Sequence, residues 1–166
     1  MTAKDNAMPT SQLNALKLAA LCALSLTAGL TPQMASATLG EPEVSVQADV
    51  AQMSGAIKAS TLHGVYHLHE IQLPSGTLLR EYVSLDGNVF AVAWSGPSPP
   101  DLRQTFGKYF DSFVSAAKQN HGDRNHLQIQ QSDLVIQVRG HMRGTFSGRA
   151  YLPTAVPAGV DPGVLQ

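Results

Sequence analysis

The sequence predicts an α+β fold: an antiparallel sheet of about six strands in two three-strand halves, each preceded by a helix, with the helices on one face. Three features of the chain point to it. Residues 66–94 hold three strand-like runs joined by the turn signals Pro74-Ser75-Gly76 and Asp86-Gly87, the pattern of a meander. Leu102, Phe106, Phe110, Phe113 and Ala117 then recur at the spacing of one helix face. Further alternating runs fill residues 127–152. A sheet and a helix that are each apolar on one side bury that surface most simply against one another.

The N-terminus is a separate matter. Lys17 precedes the uncharged run Leu18 to Leu30, and Ala35-Ser36-Ala37 follows at the distance of a signal-peptidase site. Residues 1–37 therefore read as a cleaved secretory signal peptide. Thirteen residues are too few for the roughly 20 that span a bilayer as a helix. Cleavage after Ala37 leaves 38–152 as a single domain and 153–166 as a Pro- and Gly-rich tail expected to run extended over the surface. Cys22, the one cysteine, departs with the signal, so the exported chain has no disulfide and no thiolate chemistry. Loss of Lys4, Lys17 and Asp5 leaves nine basic and eleven acidic side chains, a net charge of −2 with histidine neutral. That balance disfavours a nucleic-acid partner, which calls for a basic face. A soluble periplasmic or secreted product is expected, with no membrane-spanning segment after cleavage.

Taken in order, Ser45 caps a short helix through Met53, with Val46, Val50 and Met53 on its apolar side. Residues 54–64 contain two glycines and no clear period, which predicts a loop. In the meander, Thr77 to Val83 alternate, and Phe90, Val92 and Trp94 fall on one face. Three prolines between Pro97 and Pro100 end the sheet, because proline supplies no ladder donor. Asp101 is an N-cap for a continuous helix Leu102 to Lys118 whose aromatic stripe should rest on Phe90, Val92 and Trp94. Strands follow at Leu127 to Gln130, Leu134 to Arg139 and Thr145 to Leu152. In the last, Phe146, Gly148, Ala150 and Leu152 face inward while Ser147, Arg149 and Tyr151 face out.

The runs HEIQLPSGTLLREYVSLDGNVFAVAWSGPSPPDLR, GKYF, GHMRG and GRAYLP resemble the proteobacterial family catalogued as domain of unknown function 2844. The resemblance spans Leu39 to Gln166. It implies export and a single domain, and it brings no activity, cofactor or residue role with it.

Chemistry must then be sought in the residues themselves. The chain lacks a G-x-S-x-G elbow, an H-E-x-x-H helix, a phosphate loop and a dinucleotide fingerprint. No cofactor is expected. Three candidate sites remain. With Pro74-Ser75-Gly76 as a three-residue loop, counting back pairs His69 with Glu81, a polar pair on the apolar face and a candidate acid–base couple. The second hairpin gives the same face, pairing Val83 with Phe90, Glu81 with Val92 and Leu79 with Trp94. His67 and His69, two apart on a strand, share a face and are candidate metal ligands, with His63 or His141 as possible neighbours. Arg139, Arg143 and Arg149, with His141 and Tyr151 nearby, could meet a phosphate or a carboxylated glycan. The leading expectation is a non-enzymatic binding or interaction module with an envelope or extracellular partner or a small ligand. The alternatives are a small enzyme using His69 and Glu81, or a histidine-based metal-binding protein.

Overall fold

The described residues of the computed structural model, 39–119, 126–140 and 144–166, contain seven strands in one antiparallel sheet. In chain order these are β1 (Ala56–His63), β2 (Tyr66–Gln72), β3 (Leu78–Ser84), β4 (Val89–Gly96), β5 (His126–Gln130), β6 (Val135–Gly140) and β7 (Phe146–Tyr151). Their spatial order is β1-β2-β3-β4-β7-β6-β5. The expected halves of three and three strands are thus four and three, joined where β4 pairs with β7. The proposed signal segment, Arg143 and His141 lie outside the described residues.

The additional strand is β1, in the stretch expected to be a loop. It forms an edge of the sheet and is exposed along most of its length. Neither of its faces is buried, so no apolar alternation was imposed on its sequence, and periodicity could not reveal it. Its pairing with β2, interrupted by a bulge between Ile57 and Ala59, supplies the ladder that composition does not announce.

The central registers follow from turn length and the period of two. Leu73 N–H donates to the Thr77 carbonyl at 2.9 Å, closing the three-residue loop, and His69 pairs with Glu81 as counted. Glu81 pairs with Val92 and Leu79 with Trp94. One pairing differs. Val83 meets Val89 rather than Phe90, because the register shifts between Tyr82 and Val83. The shift places Phe90 with the residues of the opposite face, against Tyr66 and Tyr82 at ring separations of 6.0 and 6.2 Å. A single bulge breaks the alternation that a strict two-residue period assumes.

Helices α1 (Ser45–Gln52), α2 (Leu102–Phe106) and α3 (Phe110–Gln119) supply side chains to one face. Asp101 caps α2 as expected, accepting from the N–H groups of Arg103 and Gln104. Ser45 does not cap α1. Val44 holds that position, and the Ser45 hydroxyl donates to the Pro42 carbonyl instead. The predicted continuous helix 102–118 is interrupted at Gly107, whose φ of 47° leaves the right-handed region, and a 3₁₀ turn bridges α2 to α3. The interruption re-aims the aromatic stripe. Phe106 is fully buried with its ring 5.8 Å from Trp94 and 5.2 Å from Phe113, whereas Phe110 is only partly buried.

Trp94 is accommodated by the residue opposite it. Gly148 pairs with Trp94 across β4 and β7, and a β-carbon there would lie 2.2 Å from the indole Cζ2. Only a residue without a side chain permits that approach.

The other face is covered by the C-terminal segment. Leu165 is fully buried against Tyr82, Phe90, Ala91 and Ala93, with Tyr66, Leu68, Tyr151 and Val156 around them. The Pro- and Gly-rich segment 153–166 is mostly exposed, with Leu165 packed into the sheet. Tyr151 is half-buried and packs against that cluster.

Candidate functional site

Two polar assemblies flank the core, one on each face. On the helical face, Ser60, His69 and Glu81 stand in one cross-strand row. His69 is 8% exposed and Glu81 is 1% exposed, so both need partners. They find different ones. His69 Nε2 lies 2.9 Å from Glu43 Oε1, and its Nδ1 lies 3.0 Å from Ser60 Oγ. Glu81 instead meets Asp49 of α1, itself buried, and Asp49 Oδ1 accepts from the side-chain amide of Gln104. Burial pushes the Glu81 carboxyl well above its ordinary value, and the neighbouring charge and hydrogen bond of Asp49 push it the same way. The Glu81 carboxyl is thereby held toward its protonated form. His69 and Glu81 thus share a face and a register position, while their side chains serve separate hydrogen-bond systems.

The period of β2 brings His67 onto the same face as His69, with ring centroids 6.5 Å apart. His67 Nδ1 lies 3.4 Å from Glu43 Oε1. His63 goes elsewhere, stacking on Tyr66 at 5.4 Å. The third member of the histidine cluster is a carboxylate, Glu43, supplied by the segment that precedes α1. Asp49 did carry a signal, since it falls on the buried side of α1 beside Val46 and Val50, where a carboxylate demands a partner. Ser60 carried none, because its strand was not legible.

On the opposite face, the rows Glu70–Arg80–Ala93–Arg149–Gln137 and Ser95–Ser147–Arg139 run under the C-terminal segment. A cleft of about 530 Å³ opens there, lined by Arg80, Ser95, Arg139, Ser147 and Arg149 among others, with no aspartate or glutamate among the described residues of its wall. Arg149 is already committed. Its Nε donates to Gln137, and one terminal nitrogen donates to the carbonyls of Pro162 and Leu165. Arg80 pairs with Glu70 at 2.8 Å and donates to the main-chain oxygen of Gln166. Arg139 is exposed. Arg80 was not among the basic residues picked out by sequence, because it lies far from them in the chain and reaches them only through the β3–β4–β7 pairing.

Residues 35–165 match the family described as protein of unknown function (DUF2844). The chain belongs to that family. No curated protein and no solved structure matches it. In this DUF2844 domain the match takes in both assemblies, from Glu43 to Leu165. No helix among the described residues is long and apolar enough to cross a membrane.

Proposed function

We propose that this DUF2844 chain is an exported, non-enzymatic binding module, and that the arginine-lined cleft on its tail-covered face takes an anionic group of a small ligand or envelope partner. The observation that carries this reading is the concentration of Arg80, Arg139 and Arg149 around one cleft with no acidic side chain among the described residues of its lining. Guanidinium groups suit carboxylates and phosphates because their donors are planar and forked. Arg149 and Arg80 are held in place by the C-terminal segment, so the cleft is pre-shaped, and Arg139 is the exposed arm that would engage a ligand. The non-enzymatic reading is supported by the burial of Glu81, which leaves the His69/Glu81 register pair without an acid–base group open to substrate.

Titration with inorganic phosphate and with an oligogalacturonate tests the cleft. Arg139→Ala is expected to weaken binding about tenfold, the lower end of what a hydrogen bond to a charged group contributes. Equal affinity in that variant would move the ligand site elsewhere. Export rests on the charged start, apolar run and Ala35-Ser36-Ala37 end of residues 1–37. N-terminal sequencing of the exported protein should begin at Thr38. A mature form still containing Cys22 would refute the proposed processing.

A further inference from the structure

We propose that Glu43, His67 and His69 form a binding site for a divalent first-row transition-metal cation of the Zn²⁺ or Cu²⁺ class. One donor atom from each of the three residues lies within 4.8 Å of the other two. Glu43 Oε1 is the hub, 2.9 Å from His69 Nε2 and 3.4 Å from His67 Nδ1. A tetrahedral cation with ligands at about 2.0–2.1 Å sets neighbouring donors roughly 3.3 Å apart. Two of the three separations therefore suit a shared cation with little movement.

The parts are held independently. His67 and His69 are fixed on one face by the alternation of β2, whose register with β3 is continuous from Tyr66 to Gln72. Glu43 precedes α1, and its backbone is tied down at both ends. Its N–H donates to the Gly87 carbonyl at 2.8 Å, its carbonyl accepts from Val46, and Pro42 bridges to Asn88. The carboxylate thus reaches the imidazoles from a backbone pinned to the β3–β4 turn.

Ser60 completes the arrangement. A ligating histidine ordinarily gives its second ring nitrogen a hydrogen-bond partner, which fixes tautomer and orientation. Ser60 Oγ lies 3.0 Å from His69 Nδ1, and a hydroxyl can donate or accept. Without a cation, the Nε2–H tautomer of His69 would donate to Glu43 and accept at Nδ1 from the Ser60 hydroxyl. With one bound, the Nε2 lone pair faces the metal, and Nδ1–H donates to Ser60. The same hydrogen-bond partner serves both states.

The donor set selects the class of cation. Two imidazoles and one carboxylate, with no thiolate, suit zinc, copper or nickel, whereas calcium and magnesium take sets of oxygen ligands. The side chains of His67 and Glu43 are each 40% exposed, so a cation here would face solvent with room for water or an added ligand.

The experiment is calorimetric titration of the full chain with Zn²⁺ and, separately, Cu²⁺ in a non-coordinating buffer. Every sample carries Cys22→Ser so that no thiolate competes. One cation per chain is expected. His67→Ala and Glu43→Gln should each weaken it by about 100-fold, and Ser60→Ala by about tenfold, since outer partners cost roughly 10–100-fold. His67 and Glu43 are half-exposed, so circular dichroism should show both variants folded, and His69 is left intact for that reason. A plain histidine–glutamate ion pair would satisfy the same distances without binding metal. Failure of both cations to bind would therefore overturn the site, as would unchanged affinity in His67→Ala and Glu43→Gln. Both results are independent of Arg139, so the anion cleft stands or falls separately.

Discussion

Replacing Phe106 by Ala is expected to destabilise the domain by about 3–5 kcal/mol, the range for removing a core aromatic. Phe106 has no exposed surface and sits between Trp94 of the sheet and Phe113 of α3. Truncation leaves a cavity that its neighbours cannot close easily. The indole packs so closely over Gly148 that even a β-carbon would not fit there, which limits how far Trp94 can shift. Phe110→Ala is the informative companion. Phe110 is only partly buried, 6.1 Å from Phe113 and under the Arg103 guanidinium, so its loss should cost clearly less. Denaturant midpoints of the two variants measure the difference. Equal shifts would mean that the break at Gly107 does not divide the stripe as described.

The second large effect depends on pH and concerns Glu81. Its carboxyl titrates well above the ordinary value of 4.5 because burial and Asp49 both oppose ionisation. The unfolded chain gives up that proton near the ordinary value, while the folded chain keeps it. Between the unfolded and folded values the native state therefore binds one more proton than the unfolded state, and stability falls as pH rises. The slope for one proton is about 1.4 kcal/mol per pH unit. Below the ordinary carboxylate value this contribution is fully present; it is lost as pH climbs through the raised one. Glu81→Gln removes the titration while keeping a polar side chain of the same size beside Asp49. The variant should lose that slope and become more stable than the parent toward neutral and alkaline pH. Asp49 of α1, which faces Glu81, and His69, its partner across the β2–β3 ladder, both remain in the variant. Unfolding measured from pH 4 to pH 9 distinguishes the cases. An undiminished slope, or a variant weaker than the parent at every pH, would show that Glu81 is ionised in the fold.

Much of the fold is legible in the sequence. Turn chemistry at Pro74-Ser75-Gly76 together with the period of two placed His69 opposite Glu81 and Leu79 opposite Trp94, since both rules act within a few residues. The Asp101 cap and the strands β5 to β7 were readable for the same local reason, as was the sharing of one face by His67 and His69. The membership of the family was readable from contiguous runs such as VFAVAW and GRAYLP.

What the sequence could not determine depends on partners distant in the chain. The Phe90 bulge depends on how the β3–β4 turn closes, and one residue out of period moves an aromatic ring to the opposite face. The edge strand β1 buries too little for its own residues to mark it, and only its ladder with β2 makes it a strand. Leu165 becomes core because the C-terminal segment returns across the sheet, an arrangement that its prolines and glycines permit without specifying. The side-chain partners were decided the same way. His69 and Glu81 were rightly paired by register, yet Glu43 and Asp49 approach from before and within α1 and draw the two apart. Backbone register is set by local spacing, whereas the partner of a buried polar side chain is set by whichever group the tertiary fold brings within hydrogen-bonding reach.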